Sequence, residues 1–416
     1  MMNRKPKRLI FHVDVNSAYL SWEAVRRLAE GEDDLRLIPS AVGGNRAKRT
    51  GIILAKSIPA KKYGVRTGEP VAMALRKCPS LVLVPPDFRL YRTSSKAFLR
   101  ICREFAPVVE QFSVDECFLD MTGTELLYPD PAAAALILKD RIRDELGFTV
   151  NVGIGENRLT AKMASDFEKP DRVHTLFSEE IPDKLWPLPA GELFSVGKSK
   201  ADRLRAAGIR TVGDLAAAPP DRLQAVLGRK AAAQIQAFAR GQDDTPVSGE
   251  RPEAKGYNIS VTLEEDVEDR EHALAILLLL ADSVTARMRS EGGRAYCVGV
   301  SLRTGRFVDR SHQTTLQQPT DITSEVYRIC EKLFDELWKK EPLRLLGINL
   351  TDITRSREEQ LSLFPDEDLK KEQQVDRAID AIRQRFGSGS IVRGASLDTG
   401  IEVGRKYKAG MDDPSE

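Results

Sequence analysis

The sequence predicts an α+β protein in which two β-α-β-β-α-β units are separated by a helical segment. In each half of the chain, apolar runs of strand length alternate with stretches of helical spacing, whereas residues 179–241 have helical spacing and no strand-like run. Elements in this order form an open sheet with helices on one face. The two halves share the order without any residue-level repeat.

In the first half, strands are expected at residues 9–15 and 149–154, and a hairpin at 108–121. Helical spacing predicts helices over 18–30, 93–105 and 131–146. A basic segment, residues 43–66, contains seven Lys or Arg residues and no acidic one. Such a patch can follow a phosphate backbone, although a solvated basic face is the alternative.

The rest of the chain is divided by a predicted linker at residues 243–254, which are polar with two prolines. Before it, Gly208 fits a position just past a helix end and Thr211 a helix N-cap. After it, we expect strands at 257–263, 295–304, 307–317 and 343–353, helices at 270–290 and 320–339, and a final amphipathic helix with Val375, Ile379, Ile382 and Phe386 that stops at Gly387.

The composition is that of a globular protein, with 416 residues and 63 basic against 62 acidic side chains. Five scattered cysteines without a CxxC pair favour a reduced cytoplasmic compartment over a disulfide scaffold or a zinc site, and the four histidines are interpreted as structural or surface residues. The longest apolar stretch, 273–281, is far shorter than the roughly 20 residues of a membrane span. We therefore expect a cytoplasmic protein that has no membrane partner.

Three acidic residues are the strongest functional signal. Asp115 and Glu116 lie at the tip of the predicted hairpin, and Asp14 ends the first apolar run. If these strands are neighbours, three carboxylates meet and raise one another's pKa, a conflict that a hard cation such as Mg²⁺ resolves. Two such ions about 3.5–4 Å apart support in-line phosphoryl chemistry. Taken alone, Asp115 and Glu116 also fit an exposed acidic turn.

Four motifs in order resemble the Y-family translesion DNA polymerases. They are residues 14–19 (DVNSAY), 52–68 (IILAKSIPAKKYGVRTG), 113–116 (SVDE) and 162–171 (KMASDFEKPD). The resemblance covers nearly the whole chain and implies a right-hand polymerase. Its parts would be a ferredoxin-like palm (1–18 and 85–177), small fingers (19–84), a helical helix-hairpin-helix thumb (178–242), a β-α-β-β-α-β little finger (255–354) and a C-terminal tail (355–416).

The resemblance implies that Asp14, Asp115 and Glu116, with the backbone carbonyl of Val15, hold two Mg²⁺ ions. One ion would activate the primer 3′-hydroxyl and the other would neutralise the triphosphate. Family members often have a second acid where this chain has Asn16. We do not count Asn16 as a ligand, because an amide coordinates weakly.

The resemblance also implies nucleotide contacts. Tyr19 matches the steric gate, whose ring excludes a ribose 2′-hydroxyl, and Lys169 matches a triphosphate contact. The polymerase IV branch has Thr, Tyr and Arg where this chain has Ala55, Ile58 and Lys61, so of these three only Lys61 keeps a charge. The UmuC-like branch also tends to small and Lys residues here, so the branch stays open. Lys56 either compensates or faces solvent.

DNA contacts are expected in the thumb and in the little finger. Residues 194–212 resemble a helix-hairpin-helix, in which Val196, Gly197 and Lys198 would bind a DNA phosphate, with Ser195 in place of the usual first glycine. In the little finger, the predicted phosphate contacts are Arg303, Arg306 and Arg310.

Residues 360–364 (QLSLF) match the peptide that binds the bacterial beta sliding clamp. It is a short apolar segment in a charged stretch, suited to a pocket on a partner. The contact residues would be Gln360, Leu361, Leu363 and Phe364. A strand packed on its own domain is the alternative.

Together these features predict a monomeric, cytoplasmic, nucleoid-associated DNA polymerase tethered to the sliding clamp. It would take primer–template DNA and dNTPs, copy damaged templates with low accuracy, and lack a proofreading exonuclease. A UmuC-like subunit that is active only with accessory proteins is the nearest alternative. A nucleotidyl cyclase and a non-catalytic DNA-binding clamp partner agree with fewer of the motifs.

Overall fold

The computed structural model describes residues 8–44, 51–250, 253–356, 367–399 and 401. The chain folds as two compact units that divide between residues 250 and 253. Among the described residues, no helix is both long enough and apolar enough to cross a membrane.

The first unit contains two sheets and a helical segment. Its strands are β1 (Ile10–Val15), β2 (Ser40–Gly43), β3 (Ile53–Lys56), β4 (Val82–Val84), β5 (Val108–Gln111), β6 (Glu116–Asp120), β7 (Val150–Gly155) and β8 (Val173–Leu176). Its α-helices are α1 (Ala18–Ala29), α2 (Ile58–Lys62), α3 (Val71–Lys77), α4 (Phe88–Phe105), α5 (Pro131–Leu146), α6 (Arg158–Asp166), α7 (Lys198–Ala206), α8 (Val212–Ala217), α9 (Pro220–Leu227) and α10 (Arg229–Ala239).

The larger sheet has five strands in the order β5-β6-β1-β7-β8. The central strand β1 is antiparallel to both of its neighbours, and β8 runs parallel to β7. Four of these strands match the predicted runs. The pattern does not predict β8, because four largely half-buried residues at a sheet edge carry little periodicity.

Helices cover both faces of this sheet. On one face, α4 and α5 share an apolar core with Phe11 and Val13 of β1. On the other face lies α6, whose Ser165 contacts His12. The predicted helices α4 and α5 thus share one face of the sheet, whereas α6, which the sequence pattern does not predict, covers the other face. Its close approach requires Gly153 of β7, where an added Cβ would lie 1.9 Å from a backbone oxygen of α6.

The basic segment and the residues on either side of it contribute to a second, three-stranded sheet in the order β3-β2-β4. Strand β2 pairs antiparallel with β3 and parallel with β4. No strand is predicted here, because strands of three or four residues carry too few apolar positions for a clear pattern.

In residues 179–241 the described structure is helical, as predicted, with no strand. Gly208 follows the C-cap of α7 with a φ of 78°, a conformation that favours glycine. Thr211 caps α8, because its side chain accepts a hydrogen bond from the backbone N–H of Asp214 at 3.0 Å. Both predicted helix boundaries are confirmed.

The second unit has the predicted β-α-β-β-α-β order. Its elements are β9 (Gly256–Val267), α11 (Arg270–Ser290), β10 (Arg294–Thr304), β11 (Asp309–Thr320), α12 (Thr323–Leu337) and β12 (Leu343–Thr354). The sheet is antiparallel throughout, in the order β11-β10-β12-β9.

The final helix, α13 (Glu367–Phe386), ends before Gly387, as predicted. It packs on the second unit through charged side chains, including an ion pair of 2.7 Å between Asp380 and Arg289 of α11. Three residues of its predicted apolar stripe are exposed, Val375 by 52%, Ile382 by 38% and Phe386 by 66%. The helix is therefore held by its polar side.

Candidate active site

Asp14 and Glu116 lie directly opposite each other on neighbouring strands. The antiparallel register of β1 and β6 pairs the two residues. Their side chains contact residues of α6 or of the segment that follows it, so both lie on the α6 face of the sheet. Like charges in directly opposed positions repel each other. The sheet thus concentrates negative charge near the end of its central strand.

Two lysines offset this repulsion. Lys162 of α6 donates a hydrogen bond to Glu116 Oε2 at 2.9 Å. Lys169, which follows α6, donates to Asp14 Oδ1 at 2.8 Å and lies at the same distance from Asp166 Oδ1. Each carboxylate of the pair therefore faces an ammonium group.

The two carboxylates differ in their affinity for a proton. Burial raises the pKa of Asp14 from 3.8 to about 7, and Lys169 offsets only part of that effect. Burial would also raise the pKa of Glu116, but the nearby His12 ring and the hydrogen bond from Lys162 hold it well below its usual range. Neighbouring acids whose pKa values move in opposite directions are typical of functional sites.

His12 belongs to this site. Its Nδ1 lies 2.8 Å from Ser165 Oγ, and its Nε2 lies 3.4 Å from Glu116 Oε2. Burial lowers the pKa of His12, although Glu116 partly opposes this effect. The sequence-based interpretation of the histidines as structural or surface residues misses the contact between His12 and Glu116. One signal was available, since His12 and Asp14 share one face of a strand.

Asp115 lies in the hairpin turn, where Ser113 Oγ donates a hydrogen bond to its Oδ1 at 2.6 Å. The turn is attached to β1, because the N–H of Val15 donates to the backbone oxygen of Asp115 at 3.0 Å. As a result, Asp14 and Asp115 line the same cavity. The structure brings together the three acids that the sequence singles out.

This cavity has a volume of about 270 Å³. Its walls come from the end of β1, the hairpin turn, the start of α1 and the three-stranded sheet with its connections. The lining residues are Asp14, Val15, Ser17, Ala18, Tyr19, Leu54, Ala55, Lys56, Thr67 and Asp115. Carboxylates, hydroxyls and an ammonium group make it suited to a polar, charged ligand.

Tyr19 lines the cavity with a ring that other aromatic side chains support. It stacks on Tyr91, with ring centres 4.5 Å apart, and lies 5.9 Å from Trp22. The Tyr91 hydroxyl donates a hydrogen bond to the buried Glu23 at 2.8 Å, and Arg26 pairs with Glu23 at 3.1 Å. The ring of Tyr19 is therefore held against a fixed surface.

The predicted fingers positions differ in their access to the cavity. Ala55 lines it, whereas Ile58 and Lys61 of α2 are exposed and are not among its lining residues. Lys56 does line it and donates a hydrogen bond to Thr67 Oγ1 at 3.2 Å. Of the two alternatives for Lys56, the structure favours the one in which it faces the site.

Asn16 is engaged in structural hydrogen bonds. Its Oδ1 accepts from the backbone N–H of Asp171 at 2.9 Å and from the Thr149 hydroxyl at 3.0 Å. Its Nδ2 donates to Asn151 Oδ1 at 3.1 Å. These bonds join the end of β1 to its neighbours and agree with leaving Asn16 out of the metal ligands.

Across the described ranges, no three His, Cys, Asp or Glu side chains are already grouped to hold one metal ion. Asp14 and Glu116 are paired with lysines, and Asp115 shares the cavity with Asp14. The available donors are carboxylate oxygens, which Mg²⁺ prefers. The donor chemistry therefore fits Mg²⁺, provided that the lysine contacts open on binding.

The predicted thumb contacts lie at the start of α7. Gly197 is the N-cap and Lys198 the first helical residue, and both are exposed. The side chain of Val196 is buried, so only its backbone could face DNA. Ser195 adopts a φ of 72°, which explains why a glycine is usual at this position.

The three predicted little-finger arginines differ in their partners. Arg303 pairs with Asp309 at 2.6 Å, across β10 and β11. Arg310 pairs with Glu341 at 2.5 Å. Arg306 is exposed and forms no ion pair within the described part of the chain. The predicted clamp peptide, residues 360–364, lies outside the described residues.

Comparisons with known proteins agree with this architecture. Residues 13–166 match the impB/mucB/samB family, residues 254–363 match its C-terminal domain, and residues 191–243 match the thumb domain of DNA polymerase iota. A chimeric Y-family DNA polymerase, Dbh-Dpo4(243-245)-Dbh, shares the fold with a TM-score of 0.71 and 22% identity, covering 84% of this chain and all of that one.

Several curated relatives are similar over nearly their whole length. DNA polymerase IV of Clostridium acetobutylicum is 41% identical over 94% of this chain and 98% of its own. DNA polymerase IV 1 of Bacillus subtilis is 37% identical over 94% of this chain and 93% of its own. Family matches over most of the sequence and identities of this size lead to one conclusion. The chain belongs to the Y-family of translesion DNA polymerases.

Proposed function

We propose that this protein is a template-directed DNA polymerase that carries out error-prone translesion synthesis by two-metal nucleotidyl transfer. The observation that carries the proposal is the pairing of Asp14 with Glu116 beside a cavity shared by Asp14 and Asp115. The relatives named DNA polymerase IV support the reaction class. The required substrates are primer–template DNA and dNTPs.

Each site residue has a defined task in this proposal. Asp14, Asp115, Glu116 and the Val15 carbonyl would hold two Mg²⁺ ions, which when bound supply charge neutralisation and activation of the attacking hydroxyl. The ring of Tyr19 would exclude a ribose 2′-hydroxyl. Lys169 and Lys61 would contribute positive charge toward the triphosphate.

The remaining parts would hold the substrate and the partner. Residues 196–198 would bind a DNA phosphate, and Arg306, with Arg303 and Arg310, would track the duplex backbone. Gln360, Leu361, Leu363 and Phe364 would bind the beta sliding clamp. We further propose that the protein is monomeric, cytoplasmic and nucleoid-associated, and that it has no proofreading exonuclease.

Primer extension by the purified chain tests the proposal directly. Asp115→Asn and Glu116→Gln keep the size of each side chain and should abolish extension while leaving DNA affinity nearly unchanged. Asp120→Asn is the matched control, because Asp120 lies on the same strand as Glu116 and an amide oxygen can still accept the hydrogen bond from Thr122 N–H. Full activity in either site variant would refute the metal assignment.

The same assay separates the alternatives. Extension by the chain alone, with Mg²⁺ and not with EDTA, excludes a UmuC-like subunit that needs accessory proteins. Dependence on a primed template excludes a nucleotidyl cyclase. Templates with and without a damaged base show whether lesions are bypassed.

A further inference from the structure

One lysine in the cavity is unexplained by the roles assigned above. Among the residues that line the cavity, Lys56 is the only basic one, and Asp14 and Asp115 are the acidic ones. Lys56 is the last residue of β3 and is half-buried. It therefore faces the site from the fingers side, opposite the carboxylates.

The ammonium group of Lys56 has a hydrogen-bond partner and no anionic one. Its Nζ donates to Thr67 Oγ1 at 3.2 Å, and it forms no ion pair with any residue of the described ranges. Lys162 and Lys169 differ, because both are already paired with carboxylates. Lys56 thus presents to the cavity a positive charge that has no ion-pair partner among the described residues.

Glu69 attracts this positive charge but is engaged with other groups. Glu69 accepts a hydrogen bond from the backbone N–H of Arg66 at 2.7 Å and pairs with Lys77. Burial lowers the pKa of Lys56, and so does the positive charge of Lys61, which lies on the neighbouring helix α2. Lys56 is thus the one cationic group among the cavity-lining residues, and a positive charge there favours an anionic ligand.

The neighbouring side chains supply no such group, because Ala55 has no hydrogen-bonding side chain and Ile58 is apolar and 56% exposed. We infer that Lys56, positioned by Thr67, binds the triphosphate of the incoming nucleotide from the fingers side. This inference rests on the proposed function. An ammonium group is a point charge and contacts phosphate oxygens without reading the base. Lys56 is thus a residue for nucleotide affinity and not for base choice.

Equilibrium binding tests this role without catalysis. The probe is each of the four dNTPs, added with Ca²⁺ to the protein bound to a dideoxy-terminated primer–template. Lys56→Met keeps the chain length and removes the charge, so we expect the Kd to rise about 10-fold for all four dNTPs alike. Thr67→Ala should give a smaller rise, and Lys56→Arg should stay within about 3-fold of the parent.

Lys62→Met is the matched control, since Lys62 is an exposed lysine of α2 that does not line the cavity. Its Kd values should match those of the parent protein. Inorganic triphosphate should compete with dNTPs in the parent and compete more weakly in Lys56→Met. An unchanged Kd in Lys56→Met, or a change confined to one base, would overturn the inference.

The test of Lys56 can succeed or fail independently of the proposed polymerase reaction. If the parent protein binds dNTPs but does not extend primers, the proposed function fails and the Lys56 assignment is still measured. If the parent extends primers and Lys56→Met has the same Kd and the same KM, the Lys56 assignment fails alone. Thermal unfolding of Lys56→Met should match the parent, because a half-exposed side chain at a strand end contributes little to the core.

Discussion

The hydrogen bond between Tyr91 and Glu23 can be tested by removing one oxygen atom. Tyr91→Phe deletes the hydroxyl that donates to Glu23 Oε1 at 2.8 Å and keeps the ring that stacks on Tyr19. Glu23 has no exposed surface, so water does not replace the lost donor. Its remaining contacts are Arg26 on Oε2 and the N–H of Asp87, 3.3 Å from Oε1.

The expected magnitude follows from these contacts. A hydrogen bond to a charged group contributes about 1.5–3 kcal/mol, and Glu23 retains its other partners. We therefore expect Tyr91→Phe to lower the free energy of unfolding by about 2 kcal/mol. Tyr91→Ala also removes a buried ring and should cost about 3–5 kcal/mol.

Denaturant unfolding followed by tryptophan fluorescence measures this effect, because the ring of Trp22 lies 5.7 Å from that of Tyr91. Tyr63→Phe is the control, since Tyr63 is 53% exposed. In primer extension, Tyr91→Phe should discriminate against ribonucleotides as the parent does, and Tyr91→Ala should discriminate less. A Tyr91→Phe protein as stable as the parent would show that the hydroxyl does not support a buried carboxylate.

Three further predictions follow from the site and its supports. Because the pKa of Asp14 is raised from 3.8 to about 7, the metal-free protein loses stability as pH rises between these values. Mg²⁺ binds the ionised carboxylate, so the Mg²⁺-induced rise in Tm should be larger at pH 8 than at pH 6. This pH dependence should be lost in Asp14→Asn. Gly153→Ala should lower the free energy of unfolding by about 3 kcal/mol because it forces α6 away from β7, whereas Gly197→Ala, which meets no atom within 4 Å, should be nearly neutral in denaturant unfolding. Arg306→Ala should weaken DNA binding, measured by fluorescence anisotropy, more than Arg303→Ala does, because Asp309 already pairs with Arg303; equal losses would contradict this ranking.

The parts of the fold that the sequence predicts are those that depend on a few neighbouring residues. The caps at Gly208 and Thr211 are recognisable because each depends on one residue and its chain neighbours. The predicted helix at 93–105 in fact begins at Phe88, since Asp87 caps it with its side chain. That start is hidden because the first turn after Asp87 carries arginine and tyrosine, which obscure the apolar spacing.

The packing of α13 shows the limit of periodicity. The apolar positions Val375, Ile382 and Phe386 predict an amphipathic helix correctly but not the side that packs. The second unit presents arginines at this surface, and Arg289 pairs with Asp376 and Asp380. Which face of a helix is buried depends on the charges that the partner surface supplies, and these come from distant parts of the chain.

The sequence alone predicts the longer strands and helices in their order and the identity of the three acids, because apolar spacing and motif spacing are properties of short segments. The short strands β2, β3, β4 and β8 are too brief to carry such a pattern. Only the tertiary structure decided that Asp14 faces Glu116, that two lysines pair with these acids beside His12, and that Lys56 rather than Lys61 enters the cavity. These relations depend on strand register and helix placement. Both are set by packing between segments that lie about a hundred residues apart in some cases.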